Sequence, residues 1–236
     1  MRNKFKIFAM IISLAITVGC SSSKPSSNTE QLPTLTPANK QNAAKINVEL
    51  GFYYLQQGDY KRSQAKLLTA LQEAPNSPKA NSAMGYFFEK IDEASRAKQY
   101  YLRAIKLDPK DSAAHNNFGT FLCRHNEYDA AIKEFKIAVA DENYLNAAKA
   151  YENAGICAKK IPNLHLAKQF FLKAIHRDPS LTTSLLSLSS LYYREGKYRT
   201  ANNYLNQYLS LAQPNKQAKQ LKVAINKKLG HKAKNA

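Results

Sequence analysis

From residue 44 onward the chain copies itself. Aligning Leu50 and Gly51 with Met84 and Gly85, Phe118 and Gly119, Ala154 and Gly155, and Leu188 and Ser189 gives steps of 34, 34, 36 and 34 residues. A fixed period of this size means a stack of units that bury their apolar faces only against one another. Counting each unit from Ala44, Pro78, Ser112, Ala148 and Thr182, the eighth position holds Gly51, Gly85, Gly119, Gly155 and Ser189, and the twentieth holds Ser63, Ala97, Ala131, Ala167 and Ala201. Two small positions per unit predict two helices whose backbones approach closely. Bulky residues recur at position 24, as Leu67, Tyr101, Phe135, Phe171 and Leu205. Alanine recurs at position 27, as Ala70, Ala104, Ala138 and Ala174, with Tyr208 in the last unit.

The turns agree with this pattern. Gly58, Asn126 and Gly196 share one offset, where a left-handed residue closes a first helix, and Pro75, Pro109 and Pro179 end second helices. The 34-residue period, with small and large residues at these offsets, resembles the tetratricopeptide repeat. The resemblance implies an all-α superhelix of five helix-turn-helix repeats over residues 44–215, closed by a capping helix and basic tail over 216–236. In that last segment Leu221, Ile225 and Leu229 form one apolar stripe among lysines. Repeat three departs from the pattern. It has Asn143 in place of proline and two extra residues, so the linker ADENYLNAA is expected to be irregular. The tryptophan often found at the fourth repeat position is absent throughout.

The first 43 residues are of another kind. Arg2, Lys4 and Lys6 precede the short apolar run IFAMIISLAITVG, which has the length of a signal-peptide core and falls short of the ~20 apolar residues of a membrane span. Val18 and Gly19 lead into Cys20, with Thr17 where a lipobox usually has leucine. The segment resembles a bacterial lipoprotein signal over residues 1–19, and the resemblance implies an acylated Cys20; the alternative is ordinary cleavage beside a chance cysteine. Two or three acyl chains anchor durably where one is marginal. By resemblance to the lipoprotein sorting pattern, Ser21 after the cysteine implies the periplasmic face of an outer membrane. Residues 20–43, rich in Ser, Pro, Asn, Thr and Gln, read as a tether spanning on the order of 25 Å. The chain carries a formal charge of +18. In an exported protein that charge disfavours nucleic acid and points to anionic headgroups or an acidic protein.

With Cys20 lipidated, Cys123 and Cys157 remain as a pair in an oxidising compartment, either disulfide-bonded or as two buried thiols. Both fall on first helices of successive repeats, which favours the bond. The stretch around them is distinctive: Asn116, Asn117, Phe118 and Gly119 precede Phe121, Leu122 and Cys123, and one repeat later come Asn153, Ala154, Gly155, Ile156 and Cys157. This resembles the PilF/PilW family of type IV pilus biogenesis lipoproteins. The resemblance implies a pilotin, a protein that helps the pilus secretin reach the outer membrane and form multimers there. The alternative is another periplasmic repeat lipoprotein, an adaptor for β-barrel assembly or murein synthesis.

The groove of such a stack is lined by first-helix positions two, five, nine, twelve and thirteen. In the first two repeats these include Val48, Phe52, Leu55, Tyr86 and Lys90, an apolar and aromatic set flanked by lysines that suits an amphipathic segment with acidic residues. The alternative is that the tether or neighbouring helices cover Phe52 and Leu55. The equivalent sets further on, Asn116, Thr120 and Arg124, then Lys149, Glu152, Lys159 and Lys160, are mostly polar. No catalytic motif is present: GxSxG, HExxH and a phosphate-binding glycine loop are all missing, and Cys123 and His125 point apart on a helix. The five histidines lack metal-ligand spacing. The expectation is a protein-binding module with no cofactor, metal, small-molecule substrate or nucleic-acid partner.

Overall fold

Among the described residues, five antiparallel helical hairpins stack side by side and an eleventh helix packs against the last of them. The computed structural model describes residues 36–230 apart from residue 163. Cys20, the signal segment and the tether up to residue 35 lie outside the described residues. The helices are α1 (Pro37–Gln56), α2 (Tyr60–Glu73), α3 (Pro78–Lys90), α4 (Ala94–Leu107), α5 (Ser112–Arg124), α6 (Tyr128–Ala138), α7 (Ala147–Ala158), α8 (Leu164–Arg177), α9 (Thr182–Arg194), α10 (Tyr198–Leu211) and α11 (Lys216–Lys228). Among the described residues there is no strand, and no helix is long and apolar enough to cross a membrane. The all-α superhelix expected from the period is the fold observed.

Local chemistry sets the boundaries. Asp59, Ser77, Asp111 and Asn215 each cap a helix by accepting the backbone N–H of a residue in its first turn. Thr36 does the same for α1, its hydroxyl accepting from the amide of Asn39 at 3.3 Å. That cap moves the boundary inferred from composition: α1 begins at Pro37, so the last seven residues assigned to the tether are helical and Ala44 is already in the core. A polar composition did not prevent helix there, because Ala43, Ala44 and the cap favour it. The left-handed turn series gains a member, Asp92, at φ 60°, alongside Asn126 at 64° and Gly58 and Gly196 at 74°. In repeat four the same offset holds Pro162, which cannot adopt a positive φ.

The small positions do what their spacing implies. A methyl added at Gly155 would lie 2.7 Å from the ring of Phe171, and one at Gly119 would lie 3.0 Å from that of Phe135. Position eight is thus the floor on which the bulky residue of position 24 rests. Where one of the small positions is serine, its hydroxyl crosses the hairpin: Ser63 donates to the carbonyl of Gly51 at 2.9 Å, and Ser189 to that of Ala201 at 2.8 Å. The fourth position, lacking tryptophan, is polar in the first three repeats and reaches back over the preceding turn. Asn47 donates to the carbonyl of Ala43 and Asn81 to those of Pro75 and Ser77, while His115 lies 3.0 Å from that of Pro109. Residues 139–146 form turns and not helix, as the linker sequence predicts.

First helices adjoin first helices along the stack, α1 against α3, α3 against α5, α5 against α7 and α7 against α9. They form one continuous face. The apolar interior falls into two clusters, one through repeats one to four that also takes in Leu188 and Leu191 of α9, and one built from Leu185 and Leu186 of α9 with α10 and α11. In the second, Ala218, Leu221 and Ile225 of the capping helix cover Leu185, Leu205 and Tyr208.

Candidate protein-binding groove

Phe52 on α1 and Tyr86 on α3 occupy the ninth position of successive repeats, and their rings meet at 5.8 Å with planes tilted by 55°. Both are half-buried. The exposed Lys90 sits one turn beyond Tyr86, its ammonium 5.1 Å from the ring centre, a cation–π contact that holds the lysine at the groove edge. These three of the expected groove residues come together.

Val48 and Leu55 do not join them. Val48 is 1% exposed and Leu55 8%. With Ala44 and Gly51 they run at spacings of four, three and four, the stripe that α1 turns toward the core, where α2 and α3 cover it. Their apolar character is therefore explained by packing.

The cleft extends instead toward repeats three and four. A concavity of about 310 Å³ is lined by Phe52, Ser82, Tyr86, Glu89, Tyr101, Asn116, Asn117, Thr120, Arg124 and Asn153. Three of these, Asn116, Thr120 and Arg124, are positions that the sequence marks as polar. Their meaning comes from the neighbour. Glu89 of repeat two accepts from Arg124 of repeat three at 2.7 Å and from the hydroxyl of Tyr101 at 3.1 Å. The carboxylate is nearly enclosed, and a charged donor shared across a repeat junction is among the stronger hydrogen bonds. Burial, then the adjacent Glu89 charge, pushes the Tyr101 phenol well above its ordinary range, so it stays protonated as a donor. The same carboxylate raises the pKa of Arg124. Asn153 donates to Asn116 at 3.2 Å, carrying the polar floor into repeat four.

Ser82 is 6% exposed, and its buried hydroxyl has no hydrogen-bond partner although it lines the cleft. Unpaired donors in such places are costly unless something satisfies them. The arrangement offers an aromatic corner at one end, a fixed ion pair in the middle and amide groups at the other. It suits a peptide segment: an apolar side chain against Phe52 and Tyr86, and main-chain groups toward Ser82, Asn116 and Asn153. Among the described residues no three His, Cys, Asp or Glu side chains gather to hold a metal.

Behind the cleft, Cys123 of α5 and Cys157 of α7 meet, with Cα atoms 5.8 Å apart, within the roughly 4.4–6.8 Å that a disulfide spans. Glu152, fully enclosed on α7, accepts from the amide and hydroxyl of Ser184 at 3.1 and 2.9 Å and pairs with Lys149. Groove positions of repeat four are therefore partly used up in joining it to repeat five.

Comparison with known proteins agrees with this architecture. The tetratricopeptide-repeat family matches residues 48–112 and again 100–133. The type IV pilus assembly protein PilF of Pseudomonas aeruginosa strain PAO1 is 26% identical over 197 residues, covering 83% of this chain and 76% of that protein. The solved structure of P. aeruginosa PilF superposes with a TM-score of 0.76 at 25% identity, covering 81% of this chain and 86% of that one. PilW, a widely conserved type IV pilus biogenesis factor, shares the fold with a TM-score of 0.69 at 24% identity, over 79% of this chain and 86% of its own. The chain carries tetratricopeptide repeats over residues 48–133 and is similar along most of its length to the type IV pilus assembly protein PilF.

Proposed function

We propose that this chain is a type IV pilus biogenesis factor that binds protein and not a small molecule, acting as an outer-membrane pilotin for the pilus secretin. The cleft between Phe52 and Asn153 is the observation that carries the reading. It joins an aromatic corner to a preorganised polar floor across three repeat junctions, and it lies on the continuous first-helix face of a solenoid similar to PilF. In this reading Cys20 is the acylated anchor, residues 21–35 and the start of α1 hang the repeats below the membrane, and Cys123 and Cys157 are oxidised. The role is scaffolding and needs no catalytic residue or cofactor.

Crosslinking the anchored protein in cells tests the proposal, with copurified chains identified by mass spectrometry. Secretin is expected with the wild-type chain, at a recovery cut at least tenfold by combined Phe52→Ala and Tyr86→Ala substitution. Recovery of a β-barrel assembly subunit or a murein synthase in place of secretin overturns the pilus assignment. Undiminished secretin in the double variant moves the site off the cleft.

A further inference from the structure

Positive charge is not spread evenly along this chain. Glu195 is the last acidic residue of the sequence; the 41 residues after it hold nine lysines and arginines, half of the net +18. Glu195 is itself engaged by Lys168 and Lys197. The capping helix concentrates the effect. While Ala218, Leu221 and Ile225 pack inward, Lys216, Lys219, Val223 and Lys227, spaced by three, four and four, form the opposite stripe, with Lys222 beside them. All four lysines are exposed, and so is Val223, at 58%. Among the described residues no ion pair engages a lysine of α11. Only Lys228 has an aromatic partner, lying over the Tyr198 ring at 5.8 Å.

We propose that the outward face of α11 is a docking surface for a membrane leaflet rich in anionic phospholipid headgroups. Lysine supplies the α11 charge throughout, and arginine, whose planar fork suits bidentate recognition of a particular carboxylate, is absent from this helix. Mobile point charges in a row suit a diffuse, laterally fluid anionic surface better than a shaped protein site. The exposed Val223 in the middle of the row adds an apolar contact at the headgroup boundary. Clusters of four to eight lysines on an amphipathic helix are the usual footprint of anionic lipid recognition. The surface is separate from the cleft of repeats one to four, so the two tests fail independently.

Flotation of the full chain with vesicles tests this. Phosphatidylcholine vesicles are compared with vesicles of phosphatidylcholine and phosphatidylglycerol, for the wild type and for a combined Lys216→Gln, Lys219→Gln, Lys222→Gln and Lys227→Gln variant. Binding through the N-terminal segment, whose Arg2, Lys4 and Lys6 also favour anionic vesicles, is common to both chains, so the preference of the wild type over the variant is the readout. The wild type is expected to show at least a tenfold preference that fades as salt is added. The variant is expected to lose most of the preference while keeping its helical circular dichroism, because none of the four lysines contacts the core. Equal binding to both vesicle types, or a preference undiminished by the substitutions, overturns the proposal. Lysine-dependent capture of polyglutamate without any vesicle preference also overturns it and assigns the face to an acidic protein.

Discussion

Leu55 and Phe52 stand three residues apart on α1, and that spacing separates a core residue from a groove residue. Leu55→Ala removes a side chain enclosed by α2 and α3 and is expected to lower unfolding free energy by about 2–5 kcal/mol. Phe52→Ala is expected to cost only ~1 kcal/mol of stability, since the ring is half solvent-facing, but about 2 kcal/mol of partner affinity, roughly thirtyfold. Urea unfolding of both variants, with binding measured on the folded fraction, separates the two roles; a larger stability loss for Phe52 would return it to the core. The repeat numbering brings Phe52, Tyr86 and Lys90 to the groove from sequence alone. It fails for Val48 and Leu55 because positions five and twelve lie on the edge between groove and core. Which side they take depends on how closely the next repeat's first helix approaches, a tertiary quantity. The Glu89–Arg124 pair was hidden for a related reason: the residues are 35 apart, and only the superhelical stacking makes position twelve of one repeat the neighbour of position thirteen in the next.

At the level of elements, helices and turns follow the sequence where each repeat carries its own capping residue, and the exceptions cluster between α6 and α8. There the linker 139–146 lacks a helix-ending proline, and Pro162 replaces the left-handed turn residue. Cys123 and Cys157 straddle the linker 139–146, 34 residues apart, joining the first helices on its two sides. A bond there restrains the unfolded chain across the least regular junction. Reduction, or a combined Cys123→Ser and Cys157→Ser substitution, is expected to lower stability by ~3–4 kcal/mol in the chain-entropy account. Chemical unfolding with and without reductant measures it, and alkylation of the unreduced protein provides a second reading. Thiols that label without reductant, or stability indifferent to reductant, would leave the pair as two packed cysteines. The start of α1 was less legible, because a polar, alanine-containing stretch specifies helix only weakly until a cap such as Thr36 fixes where it begins.

Across the whole molecule, stability is a chain of neighbour contacts, with no single centre. Among the described residues each hairpin touches only its neighbours, and the apolar interior divides between a cluster of repeats one to four that reaches Leu188 and Leu191 of α9 and a second unit joining Leu185 and Leu186 of α9 to α10 and α11. The capping helix covers the outer side of that unit, where Ala218, Leu221 and Ile225 close over Leu185, Leu205 and Tyr208. Removing residues 212–236 therefore exposes a broad apolar face at one end and leaves the junctions of repeats one to four intact. In native-state hydrogen exchange, the amides of α9 and α10 are expected to lose most of their protection in the truncated chain. Those of α3 to α6 should keep theirs, because opening free energies in such stacks are local to the disturbed interface. A uniform loss of protection from α1 through α10 would show that the solenoid unfolds as one unit, with α11 stabilising every repeat equally. Loss confined to α9 and α10 would mean that the lysine-rich end opens independently, leaving the cleft between Phe52 and Asn153 formed while the end of the stack breathes.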